Sequence, residues 1–264
     1  MKHLLNTDLK KIFKGKAIYF LLGAAIILPI FTTLFVAFLM FITKQTGAEV
    51  TEVFATLFSP VFIYISSFSL LNNIGLALLI TLIIVAAGDF SQATIRNKVV
   101  AGHKREHVFF SALITNLIFV FTILFAYSSF SYLFASLLAG FKLDVFLIVL
   151  KFGLIGYTSY LVIYTLATVV MFKLKNAWAP ILIVIGVMIG VSIINIVVGL
   201  ILDMNEITFN VIPYIFPMTH VNATGEGVFQ DKFDHFWIFS LVNLAYFGLL
   251  CLAGYKLSRK TDFN

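Results

Sequence analysis

Five stretches of the chain, 17–43, 53–88, 107–141, 176–202 and 235–255, contain no Asp, Glu, Lys or Arg, and a sixth, 145–172, contains only Lys151. Each reaches the ~20 residues that a helix rising ~1.5 Å per residue needs to cross a ~30 Å hydrocarbon layer. The pattern predicts an all-α membrane protein of six transmembrane helices, near 17–43, 61–88, 108–138, 145–172, 178–201 and 236–256. No internal repeat, linker or low-complexity tail divides the chain, which reads as one domain.

The polar segments between the spans have patterns of their own. In residues 1–16, Leu5, Leu9, Ile12 and Phe13 fall at i, i+4, i+7 and i+8, with Lys10 and other lysines elsewhere. This is the pattern of an amphipathic interfacial helix, held on the inner leaflet by apolar burial and by attraction of lysines to anionic lipid. A basic tail that merely sets topology is the other reading. Residues 89–107 predict a short polar helix projecting from the membrane. Asp89 or Ser91 would cap its start, Ile95 and Val99 share one face, and Gly102 is a natural stop. Residues 202–235 carry Pro213 and Pro217 inside a short apolar run, too broken to span, which predicts a re-entrant or interfacial element.

Composition agrees with lipid as the solvent. Charged residues are 11% and apolar residues 61% of the chain, where soluble domains carry about 25% and about 45–50%. Lys and Arg set the orientation. With the N-terminus inside, the inner segments hold Lys2, Lys10, Lys11, Lys14, Lys16, Arg96, Lys98, Lys104, Arg105, Lys173, Lys175, Lys256, Arg259 and Lys260, against Lys44, Lys142 and Lys232 outside. Both termini are therefore expected in the cytoplasm. The net charge of +6 follows from topology and needs no nucleic-acid partner. The single cysteine, Cys251, excludes an intrachain disulfide. The first apolar run is too long for a signal-peptide core, so the chain is expected to keep its N-terminus.

Catalytic patterns are missing from the sequence. There is no Gly-x-x-x-x-Gly-Lys-Ser/Thr phosphate loop and no His-Glu-x-x-His motif, and His103 and His107, though spaced i, i+4, sit at a water-facing helix start where no metal is expected. No cofactor or metal is expected in this chain. No Asp or Glu lies within a span, which weighs against an ion-driven carrier. The embedded polar groups are Asn72, Asn73, Asn116, Asn195 and Asn243. They line a translocation path or bond helix to helix; both readings fit. Lys151 either snorkels outward or faces a cavity. Gly186 and Gly190 form a small-xxx-small pattern suited to a dimer seam or to packing within one subunit.

The 88–106 segment, Gly88-Asp89-Phe90 followed by Thr94-Ile95-Arg96-Asn97-Lys98, Val99, Gly102 and Arg105, resembles the corresponding loop of type 2 ABC transporter permeases. That family includes bacteriocin- and lantibiotic-immunity permeases and exporters of amphipathic peptides such as phenol-soluble modulins. The likeness extends to the basic N-terminus, the six spans and the proline-bearing element before the last. It implies a permease subunit in the cytoplasmic membrane that pairs with a second permease subunit, identical or paralogous, and engages separate cytoplasmic ABC ATPase subunits. ATP and Mg would bind those partner chains. Asp89, Phe90, Thr94, Ile95, Arg96, Asn97, Lys98, Val99, Gly102 and Arg105 would form the ATPase-coupling segment, with Ile95 and Val99 as its apolar anchors. Leu5, Leu9, Lys10, Ile12 and Phe13 would add an N-terminal contact. The first and fifth spans would face the second permease. The implied cargo is a membrane-active peptide, exported or expelled in self-immunity, with lipophile efflux next. Thirty phenylalanines suit such cargo, and equally suit a lipid-facing surface.

Overall fold

The computed structural model describes residues 1–46, 59–68, 77–78, 80–81, 94–141, 143–174, 179–201 and 236–260. Eight helices are described: α1 (Lys2–Lys14), α2 (Lys16–Thr46), α3 (Pro60–Ser66), α4 (Thr94–Val100), α5 (Arg105–Ala139), α6 (Leu143–Leu174), α7 (Ala179–Ile201) and α8 (Phe236–Lys260). Four of them, α2, α5, α6 and α8, are long and apolar enough to cross a membrane, and the chain is an all-α membrane protein among the described residues. α7 runs 23 residues over the fifth expected span. Most of the second expected span, Asn72, Asn73, Asp89, Phe90 and the 202–235 element lie outside the described residues.

α5 is the hub. It packs against α1, α2, α3, α4, α6 and α8, and α6 in turn carries α7 and the longest face of α8. A helix surrounded by apolar neighbours and lipid has no strong polar side, and α5 is apolar nearly all round. Its fully buried residues include Val108, Phe109, Val120, Ile123 and Leu124. Small residues set the closest approaches. A Cβ on Gly156 of α6 would run into the Phe68 ring just after α3, and one on Gly153 would meet the Tyr64 hydroxyl at 2.5 Å. Gly254 of α8 likewise receives the Phe109 ring of α5.

α2 and α7 pack chiefly on one neighbour each, α5 and α6 respectively. Ile18, Leu21 and Ala25 of α2 are buried, while Phe20, Phe31, Phe35, Phe38 and Phe41 point away from the bundle. On α7, Gly186 and Gly190 have open space where a Cβ would stand. They therefore serve no packing within this chain among the described residues.

Two expectations about faces are corrected. The side of α1 that meets the bundle is centred on Leu4 and Asp8, with Ile12 packed beside them, whereas Phe13 is exposed and Leu5 and Leu9 are half-buried. The helix is docked on α5 instead of turning its whole apolar stripe to lipid, because α5 offers it a polar partner as well as apolar surface. Ile95 is 5% exposed and joins the chain's own core, with Val99 packed against it. It is not an open anchor for a partner, because the short α4 uses its apolar face to sit on α5.

Candidate functional site

One end of the bundle gathers the cationic segments. The N-terminal end of α5 meets the C-terminal ends of α6 and α8 there: Phe109 stands edge-on to Phe172 at 5.2 Å, and Phe110 lies 6.4 Å from Tyr255. α1 and α4 dock at the same end through Asp8. Its Oδ1 accepts from Lys98 Nζ of α4 at 2.6 Å, and its Oδ2 accepts from Ser111 Oγ of α5 at 2.7 Å. The pair is largely sheltered, with 14% and 11% of the Lys98 and Asp8 side chains exposed. A sheltered carboxylate is tolerable only when paired and hydrogen-bonded, and both oxygens of Asp8 are satisfied.

α4 ends as its sequence dictates. Gly102 takes φ +90, the left-handed region that favours glycine. The Gly102 amide donates to Val99 O at 3.0 Å and the His103 amide to Lys98 O at 3.2 Å, the paired bonds of a Schellman stop. Lys104 then precedes α5 with extended backbone. The outward side of α4 presents Arg96, Asn97 and Val100, the last 78% exposed, while Thr94 is half-buried. α1 shows Lys10 and Lys14 on its open side. Of the residues expected to couple to a partner, Arg96 and Asn97 are open to one. Lys98, Val99 and Ile95 are spent on the chain itself, and Arg105 is half-buried. The result is a cationic platform from which Val100 protrudes.

The opposite end holds a cavity of about 710 Å³ between α3, α5 and α6. Its wall is aromatic: Tyr64, Phe125, Tyr132, Phe141, Phe146 and Tyr157. Tyr64 is edge-on to Tyr132 at 6.1 Å, and Ser128 and Tyr157 share a hydrogen bond of 2.8 Å that fixes one ring. Several wall residues, such as Phe125, Leu137 and Phe141, are exposed, so the cavity is not sealed within the bundle. Lys151, on α6, is half-buried and does not line it.

The embedded amides bond helix to helix where they are described. Asn243 is fully buried, and its Nδ2 donates to Ser159 Oγ at 3.0 Å and Thr158 Oγ1 at 3.2 Å, bonding α8 to α6. Asn116 Nδ2 reaches Thr168 Oγ1 at 3.5 Å, a long bond from α5 to α6. Neither lines the cavity. Asn195 lies on α7, and its side chain lies outside the described residues. No cluster of three metal-ligating side chains occurs among the described residues.

Asp8, Ser111 and the cavity tyrosines were not singled out from sequence. Asp8 had one available signal: it is the only acid in an otherwise basic helix, in register with Leu4 and Ile12. The cavity had another, the hydroxyl-rich runs Tyr127-Ser128-Ser129 with Ser131, Tyr132 and Ser136, and Tyr157 to Tyr160. Comparison of the chain with protein-family models, with curated proteins and with solved structures gives no match.

Proposed function

We propose that this chain is the permease subunit of an ATP-driven exporter of the type 2 ABC kind, with six spans and both termini in the cytoplasm. It moves amphipathic or hydrophobic cargo out of the cytoplasm or inner leaflet. Membrane-active peptides are the leading cargo class, in export or self-immunity. ATP is hydrolysed on separate partner chains that grip the cationic end. Closure of the ATPase pair displaces α4 and α1, and with them α5, so that the path opens outward. This requires ATP to bind the two states with different affinity, since equal affinity shifts nothing.

The observation that carries the reading is the platform itself. The segment with the family-like sequence is a short, capped helix standing on α5 at the cationic end, its outer side open and its inner side bonded to the bundle. A load applied there reaches a central helix directly. The open apolar sides of α2 and α7, and the unused Gly186 and Gly190, suit a second permease subunit alongside.

A second reading, efflux of small lipophiles, is favoured by the cavity. Its volume falls within the ~300–1,000 Å³ of small-molecule pockets, and its wall is aromatic and open to the outside of the bundle.

The test is reconstitution with a candidate ABC ATPase in proteoliposomes. ATP-dependent cargo movement, lost when the ATPase is omitted, is the expected result. Movement driven by an ion gradient alone, or labelling that places residues 94–105 on the external side, would overturn the proposal.

A further inference from the structure

The geometry points to Asp8 as a positioning residue that decides whether the N-terminal helix is docked on the protein or lies on lipid, and so whether α1 and α4 move as one lever. The docking claim stands on the structure alone; its consequence for transport rests on the exporter reading.

Three elements far apart in sequence meet at this carboxylate. Lys98 is 90 residues away and Ser111 is 103. Asp8 stands in mid-helix, so capping and the helix dipole, which act in the first turn, do not account for it. Nor is it exposed to water, the usual setting of an acid on an amphipathic helix. Its neighbours on the docked face, Leu4 and Ile12, are apolar.

Those apolar neighbours do not choose between the two resting places. A membrane interface buries Leu4, Leu5 and Ile12 about as well as α5 does. The link to α2 does not choose either, because Gly15 breaks the helix with extended backbone, φ −70 and ψ 140, and so leaves α1 joined through a single joint. The carboxylate distinguishes the surfaces. On α5 it meets an ammonium and a hydroxyl, whereas at the interface it meets lipid headgroups and water. The same bond holds Lys98 inward, which ties α4 to α1 as well as to α5 and leaves Arg96 as the cation that α4 presents outward.

The test uses the full chain in nanodiscs, with Cys251→Ser, Lys10→Cys and Lys104→Cys as the background. Both new thiols stand at open positions, one on α1 and one just before α5, and they carry spin labels whose separation reads undocking of α1. Asp8→Asn keeps the shape and removes the charge. It is expected to shift the ratio of docked to undocked distances by about tenfold or more, since removing one partner of a sheltered pair leaves the other charge uncompensated. Exchanging the pair, Asp8→Lys with Lys98→Asp, is expected to return that ratio to within about threefold of the background, a residual of under about 1 kcal/mol. This separates loss of the bond from general misfolding. An unchanged distance distribution in Asp8→Asn, or no recovery in the exchanged pair, would overturn the docking claim.

A second arm measures ATP-driven export per bound ATPase. A fall of about fivefold or more in Asp8→Asn is expected, and full export with α1 undocked would overturn the lever. If the unsubstituted chain shows no ATP-driven export with any ATPase, the exporter reading fails, and the distance arm still decides the role of Asp8.

Discussion

Gly254 offers a steric test of how α8 is seated. A Cβ there would meet the Phe109 ring, with Cε1 at 2.7 Å and Cε2 at 2.9 Å and Cζ closer still. The ring has nowhere to go: Phe109 is fully buried, edge-on to Phe172 at 5.2 Å and to Phe110 at 5.3 Å. In Gly254→Ala, α8 must therefore shift. Overpacking of this kind costs about 1–3 kcal/mol. Alanine's higher helix propensity returns about 1 kcal/mol, so the net loss is about 0–2 kcal/mol, toward the upper end because the ring cannot move aside. Gly248, on the same helix, has open space at its Cβ position, and Gly248→Ala keeps the propensity gain without the clash. The two substitutions should therefore have opposite signs. The assay is unfolding in detergent followed by a thiol-reactive dye, with Cys251, the chain's single cysteine and half-buried on α8, as reporter. Adding Phe109→Leu to Gly254→Ala should recover part of the loss, with a coupling of about 0.5–3 kcal/mol. If Gly254→Ala unfolds at or above the unsubstituted midpoint, α8 does not approach α5 as described.

Four further outcomes follow from the packing and the two ends. Asn243→Ala should lower stability by about 1 kcal/mol through its lost bonds to Thr158 and Ser159; reduced transport with unchanged unfolding would instead make that amide part of a path. Ile95→Asp should impair folding rather than selectively weaken a partner, because it places a carboxylate at a 5% exposed position. Arg96→Glu and Val100→Asp, at open positions, should leave unfolding unchanged while reducing co-purification of the ATPase; the reverse pattern would refute the assignment of faces on α4. Leu133→Trp with Leu150→Trp should fill the aromatic cavity and abolish saturable binding of a lipophilic fluorophore, with undiminished binding placing the fluorophore elsewhere.

The long helices were legible because lipid imposes a simple demand. A charge-poor apolar run of sufficient length satisfies its backbone in lipid as a helix, and α2, α5, α6 and α8 fall on such runs, α6 with Lys151 inside its own. The stop of α4 was legible for a local reason as well, since Gly102 supplies a backbone conformation that other residues resist. Partners were not legible. The 3.6-residue period puts Ile95 and Val99 on one face, yet it does not say whether that face meets another protein or α5. Hydropathy reads Asp8 as a polar residue on a polar segment and carries no trace of Lys98 or Ser111. The sequence likewise carries no trace of the hydroxyl partners of Asn243 on α6. The tyrosine- and serine-rich runs were visible but uninformative, because a helical Ser or Thr readily bonds its own backbone, as Thr115, Thr122 and Thr168 do to the carbonyl four residues earlier.

The order in which the ribosome delivers the parts gives the Asp8 contact a further consequence. Ser111 follows Asp8 by 103 residues, a wait of roughly 5–20 s at synthesis rates of about 5–20 residues per second. Until then the leading amphipathic segment has no α5 surface to rest on. At the bilayer its lysines favour anionic headgroups, and its final berth exists only once α5 arrives. The nascent chain thus passes through the very arrangement from which its one carboxylate later excludes it.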